Sequence, residues 1–232
     1  EFTDLLNLTF SFLADTSFDL FMLFRKMFKE KRVLIRDCKN EEIKHLLAKR
    51  LNLKIEDIHV NGDFMGIDKS ISNGAASFLD KDICFIFINR LKTISDVAFL
   101  VHEIAHIYYF IKSNYKESEL YDCNETIKYE ILPRTIEMLF IDYLEKNGMM
   151  NEARDVTDVV ANHLYYDLHC KNEFVKYRYL IADFISYQIA PLIIDNKICF
   201  RDFSKLIKKT PFDIMLKDTR DYFEKQNNNF SK

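Results

Sequence analysis

The chain has no tryptophan, and only four glycines and three prolines among its 232 residues. So few linker-forming residues argue against a string of small modules and for one compact, soluble domain with a sizeable core. Cysteine is sparse and unpatterned: Cys38, Cys84, Cys123, Cys170 and Cys199 form no CxxC pair and are odd in number. That excludes a disulfide framework and a thiolate zinc site as the organising principle, and it fits a reducing, cytoplasmic compartment. A dominant charge is lacking too, with 33 Lys plus Arg against 36 Asp plus Glu and a formal net charge of −3. There is therefore no electrostatic reason to expect nucleic acid or an anionic membrane as partner, and the basic run Lys205 to Lys209 reads as a solvated helix face. The most apolar run, Tyr179 to Ile194, is too short for a bilayer and carries Asp183, Ser186 and Gln188, so it is expected to be a buried helix. No signal peptide stands at the start; because the chain opens on Glu1-Phe2 rather than Met, a native leader or a longer parent chain is left open. Internal repeats are missing, and the only low-complexity segment is the polar tail from Lys225 to Lys232, expected to fray.

What is present is mostly helical pattern. Hydrophobic residues make up 48% of the chain, and they recur at helical spacing from Leu5 to Phe28 and from Glu41 to Leu53, which predicts an N-terminal pair of helices within residues 1–60. From Val60 to Ala76 three of the four glycines break that pattern. The run "ICFIFIN", Ile83 to Asn89, is the best strand candidate. Helices are then predicted from a Thr93 or Ser95 N-cap to about Ile111, from Asn124 to about Glu145, from Asn151 to about Leu168 and from Glu173 to about Ile194, with one or two more to the end. The expected class is mainly α, a single domain over 1–232.

Within the first of those later helices stands "VHEIAH", residues 101 to 106. Residues four apart on a helix lie one turn above each other, so His102 and His106 can both reach one metal ion. Glu103 borders the same face and is placed to act as a general base on a water there, which is the physical content of H-E-x-x-H. The bland alternative is two polar residues partnered inside a helix bundle. A catalytic zinc needs a third protein ligand. The segment "KYEILPRTIEMLF", Lys128 to Phe140, offers Glu130 and Glu137, seven apart and so on one helical face. We take Glu130 as the third ligand and Glu137 as a supporting carboxylate that orients a ligand. A stripe of two solvated glutamates is the competing reading, but the apolar neighbours Leu132, Ile136, Leu139 and Phe140 make carboxylates on this helix ask for partners.

These residues resemble the zinc oligopeptidases of the oligoendopeptidase F and thimet oligopeptidase type, which are gluzincins. "FIFINRLKTISDVAFLVHEIAH", Phe85 to His106, is similar to that family's strand, turn and active-site helix, with Asp96 and Val97 in place of its Asp-Val pair. "YEILPRTIEMLF" is similar to its third-ligand helix, and "HCKNEFVKYRYLIADF", His169 to Phe184, to its segment of a His followed by a Tyr-x-Tyr pair. The resemblance implies substrate-binding or oxyanion-stabilising roles for His169, Tyr177 and Tyr179. "SNGAAS", Ser72 to Ser77, looks like the Gly-Ala segment on the strand lining the cleft, which implies substrate contacts at Gly74, Ala75 and Ala76. Departures are Ala105 where most members carry Gly, and Ile181-Ala182 in place of Thr-Gly. The match covers about residues 70–195, and Phe18 to Arg36 loosely; members usually run to more than twice this length.

The resemblance implies a zincin-like helical catalytic domain with a small β-sheet lining the cleft and one Zn2+ per chain. It further implies an endopeptidase acting on oligopeptides, with Glu103 as general base and with the substrate lying along the strand edge near Gly74 to Ala76 and Phe85 to Asn89. Two rival readings are a metal-binding, non-peptidase module with a regulatory or scaffolding role on the same fold, and a helical interaction protein in which the motif is accidental. Metal content and peptide turnover separate the three. Oligomeric state is not expected to be legible.

Overall fold

In a computed structural model of the chain the described residues are 2–35, 45, 48–49, 54, 74–80, 83–88, 90–114, 122–169, 171 and 173–215. They form seven long helices and three strands. Helix α1 (Phe2–Thr16) and helix α2 (Phe18–Lys29) pack against each other as a hairpin. The periodic stretch from Leu5 to Phe28 is thus itself a helix pair, which corrects the single helix the pattern suggested. Ser17 is extended, with φ −164° and ψ 125°, and caps the second helix by its backbone conformation. The pattern runs through this break because both helices bury an apolar face, Phe12 and Leu13 on one, Leu20, Phe24 and Met27 on the other. Phe10 lies 4.9 Å from Phe24 between ring centroids, which staples the two. The segment from Glu41 to Leu53 falls mostly outside the described residues, with His45, Ala48 and Lys49 helical; the break from residue 60 to 73 and the polar tail lie outside them.

Strand β1 (Val33–Ile35) has no clear sequence signal, being three residues between charges. It pairs in parallel with β3 (Ile83–Ile88), and β2 (Gly74–Asp80) pairs with β3 antiparallel, giving the order β1-β3-β2. The middle strand is the predicted one, and its side chains from Cys84 to Ile88 are buried. A short strand covered on both faces reads as a continuous apolar run, which is why it was visible in the sequence.

Helix α3 (Ile94–Lys112) follows. Its start is a capping box: the Asp96 amide donates to Thr93 Oγ1 at 3.3 Å, and Asp96 Oδ2 accepts from the Thr93 amide at 2.9 Å. Asp96 also accepts from the Lys92 amide and from Arg90, so the buried carboxylate is committed to holding the entry to the helix. By length and composition α3 could cross a bilayer, but 78% of its most apolar window is buried inside the fold. A helix apolar on all sides belongs in the middle of a protein, and α3 packs against α1, α2, β2, β3 and α4 (Cys123–Lys146). Ala105 is fully buried there.

Helix α4 is the second central element. Asp122 caps it, accepting from the amides of Asn124 and Glu125. At its far end Gly148, with φ 74°, takes the left-handed conformation that turns the chain into α5 (Met150–His169). Helix α6 (Glu173–Ile194) packs along α4, where Ser186 Oγ donates to the Ile131 carbonyl at 2.9 Å, and α7 (Phe200–Lys209) closes the bundle. The described structure is mainly α with one small sheet. Cys84, Cys123 and Cys199 are free thiols.

Candidate metal centre

The α3–α4 crossing brings the two predicted ligand segments together. His102 Nε2 and His106 Nε2 face each other at 3.1 Å, and Glu130 Oε2 lies 3.4 Å from the His106 nitrogen and 3.8 Å from the His102 nitrogen. The three ligand atoms are all within 4.8 Å of one another, close enough to hold a metal ion. A four-coordinate tetrahedral ion with donors at about 2.0–2.1 Å sets those donors about 3.3 Å apart, so the spacing fits. A second observation favours an ion. Glu130 is 5% exposed and its Oε2 makes no hydrogen bond, a costly state for a buried carboxylate oxygen that an ion would relieve.

Glu137, one stripe along α4, contacts the other nitrogen: its Oε1 is 2.9 Å from His102 Nδ1. The first glutamate therefore faces the metal position and the second supports a ligand ring. Burial lowers the His102 pKa, but the charge and hydrogen bond of Glu137 outweigh it and leave the ring above its ordinary value. Burial raises Glu137, and the charges of His102 and Arg134 more than reverse this, bringing its carboxyl down to about 2. Burial and the charges of His102, Arg178 and Arg134 hold His106 well below its ordinary value. The Nδ1 of His106 makes no hydrogen bond of ordinary geometry, yet the Tyr129 carbonyl still pulls the ring upward. In the helix the residue that would donate to that carbonyl is Pro133, which has no N–H. The Tyr129 ring stacks on His106 at 4.3 Å and fixes its plane.

Glu103 is buried at 8% exposure, and its charge raises His102, which places it beside the cluster on the same helix. The remaining expected residues divide. Tyr179 lies near Glu130, whose charge together with burial raises its phenol, so the hydroxyl is neutral near neutral pH. Arg178 donates to that hydroxyl, and its guanidinium lies over the Tyr179 ring. Tyr177 is 53% exposed on α6, and His169 is exposed at the end of α5, its Nδ1 2.8 Å from the Tyr165 carbonyl and its ring against Tyr165. The structure brings Tyr179 to the cluster and leaves those two facing solvent. Gly74, Ala75 and Ala76 sit on β2 opposite Ile88, Phe87 and Ile86. Because β3 is the middle strand, paired with β1 over Ile86 to Ile88, it offers no free edge there; this corrects the expected substrate edge for those three residues of the run Phe85 to Asn89, whose last residue lies outside the described ones, and among the described strands β2 is the edge beside α3.

Four residues that the sequence did not single out as site groups surround the cluster. Arg134 is 5% exposed and lies 3.3 Å from Glu137, from Asp167 on α5 and from Asp183 on α6. Arg178 lies 3.7 Å from Glu130 Oε1. Burial pushes the carboxyls of Asp167 and Asp183 up to about 6, against the lowering pull of Arg134. The available signal was a lone charge inside each apolar stretch, Arg134 in "ILPRTI" and Asp183 in "YLIADFI". A cleft of about 1120 Å3 between α1, the start of α3 and α5, lined by Phe99 and His163 among others, contains none of the three candidate ligands.

The fold and site define a mainly helical protein with a two-histidine, one-glutamate group of metal-binding geometry at its centre. No family model, curated protein or solved structure matches the chain.

Proposed function

We propose that the protein is a zinc-dependent endopeptidase of the oligoendopeptidase F and thimet oligopeptidase type, on a zincin-like fold, hydrolysing oligopeptides in a reducing compartment. The observation that carries the reading is the convergence of His102 Nε2, His106 Nε2 and Glu130 Oε2 with Glu103 on the ligand helix. Those three would hold the ion, and Zn2+ is the metal that borderline imidazole and carboxylate donors in a small buried site suit. When bound, such an ion supplies Lewis acidity, polarising a carbonyl and bringing a water's pKa from about 15.7 to near 7.

Glu103 takes the proton of the attacking water as oxygen adds to the peptide carbonyl carbon. It then returns that proton to the amide nitrogen as the C–N bond breaks. Both steps need a carboxylate shielded from bulk water, as its burial supports. Tyr179, whose oxygen accepts from Arg178, keeps its own proton for donation to the carbonyl oxygen as negative charge develops there. It ranks ahead of Tyr177 and His169, whose exposure suits contacts with substrate further out. An extended substrate would add to the β2 edge at Gly74 to Ala76 by main-chain hydrogen bonds. Zinc analysis of the purified protein together with a quenched-peptide assay tests the reading. One equivalent of zinc and turnover abolished by Glu103→Gln are expected, and a metal-loaded protein inert toward a diverse peptide library would refute the peptidase assignment.

A further inference from the structure

Arg134 is a fully enclosed cation that the proposed reaction does not use, and its contacts form a chain. From Arg134 Nη1 to Glu137 Oε2 is 3.3 Å, and from Glu137 Oε1 to His102 Nδ1 is 2.9 Å. On the far side Nη2 donates to Asp167 Oδ2, and Nε stands in ion-pair contact with Asp183 Oδ1 without hydrogen-bond geometry, each at 3.3 Å. One guanidinium thus ties α4, α5 and α6 to the carboxylate beneath a histidine of α3.

Resting on the metal reading above, we propose that Arg134 is a positioning residue that sets the His102 ligand through Glu137, with Asp167 and Asp183 holding the guanidinium in place. An ionised carboxylate only accepts hydrogen bonds, so Glu137 facing His102 Nδ1 puts the imidazole proton on Nδ1 and leaves the Nε2 lone pair for the ion. That works only while the Glu137 carboxylate does not rotate. Arg134 holds its orientation, because Nη1 engages Oε2 and leaves Oε1 for the ring. A cross-link serving the fold alone would have no reason to run through the carboxylate that meets the far nitrogen of a ligand ring.

The test uses Co2+ as probe, titrated into metal-free protein and followed by its visible absorption, on wild type, Arg134→Lys, Glu137→Gln and the double variant. Lysine keeps the charge and loses the fork. Arg134→Lys is expected to weaken Co2+ binding about 10-fold, the lower end of the range for groups that support a ligand. In the Glu137→Gln background the same change should weaken it less than about 2-fold, because the chain is already cut. A Co2+ affinity equal to wild type despite a lowered Tm would overturn the proposal and leave Arg134 a structural staple. An equal loss in both backgrounds would overturn it as well. Should Arg134→Lys fail to fold, Asp167→Asn, which loosens the arginine at a less buried anchor, carries the same comparison with an expected loss of about 3-fold. Wild type that binds no Co2+ sinks the metal reading and this proposal together, whereas wild type that binds Co2+ and cleaves no peptide sinks only the peptidase reading.

Discussion

Replacing Glu130 and Glu137 in turn by glutamine separates an ion's own ligand from the group beneath a ligand. Both glutamates are buried on the same helix, at 5% and 3% exposure, so neither swap differs much in packing. Glu130 Oε2 faces both Nε2 atoms, at 3.4 and 3.8 Å, while Glu137 touches only the far nitrogen of one ring. Glu137→Gln should therefore cost about 10- to 100-fold in zinc affinity, roughly 1.4–2.7 kcal/mol. Glu130→Gln exchanges an anionic donor for a neutral amide at the ion and should lose more than about 100-fold.

Thermal unfolding gives the readout. At zinc 100-fold above the wild-type Kd, binding stabilises the fold by about 2.7 kcal/mol; a 10-fold weaker variant retains about 1.4 and a 100-fold weaker one about 0.4. Glu137→Gln should fall within that interval, and Glu130→Gln should show almost no zinc-induced shift. Without metal the ranking reverses its sense, because Glu130 Oε2 is buried without a hydrogen bond. Removing its charge should leave the metal-free protein at least as stable as wild type. A zinc response lost by Glu137→Gln and retained by Glu130→Gln would refute the assignment and move the ligand to Glu137.

Glu103→Gln should keep zinc and lose nearly all turnover, read by metal analysis beside the peptide assay, whereas His102→Ala or His106→Ala should lose both; undiminished turnover in the glutamine variant would end the general-base role. Tyr179→Phe keeps the ring under the two guanidiniums and removes only the hydroxyl, so kcat should fall about 100-fold with little change in KM. Full kcat in that variant would make the tyrosine a packing residue. Asp183 has a folded pKa of about 6 against an ordinary 3.8, so its ionised form costs stability above pH 6 and the cost is relieved as the folded carboxyl protonates on acidification. Asp183→Asn should then stabilise the metal-free protein at pH 7.5 by at most about 3 kcal/mol, a gain shrinking to about 1 kcal/mol at pH 4.5, measured by urea denaturation. A gain independent of pH would show that the carboxyl titrates normally.

The sequence by itself determined whatever depends on residues within a turn or two of each other. The start of α3 was legible to within two residues, as a Thr93 or Ser95 cap, and the reciprocal bonds between Thr93 and Asp96 decide for Thr93. The histidine pair was legible because a four-residue step returns to the same helix face. The buried run from Cys84 to Ile88 announced its strand by composition. The break at Ser17 was not legible, since the apolar period persists across it, and β1 was hidden because three residues carry too short a pattern and its partner lies 53 positions away in the register Val33 to Ile86. In the site, seven residues are close to two full turns, so Glu130 and Glu137 occupy one stripe of α4 and periodicity treats them as nearly equivalent. Only the crossing of α3 over α4 decides which carboxylate meets the two Nε2 atoms and which meets Nδ1. The same holds for the tyrosine pair. Two positions apart on a helix, Tyr177 and Tyr179 point about 200° apart, so one of them must turn away from whatever the other meets. The packing of α6 on α4 turned Tyr179 toward Glu130 and Tyr177 toward solvent. Arg134 with Asp167 and Asp183 belongs wholly to the tertiary structure, because three successive helices supply charges that compensate one another only once the helices pack and bury them together.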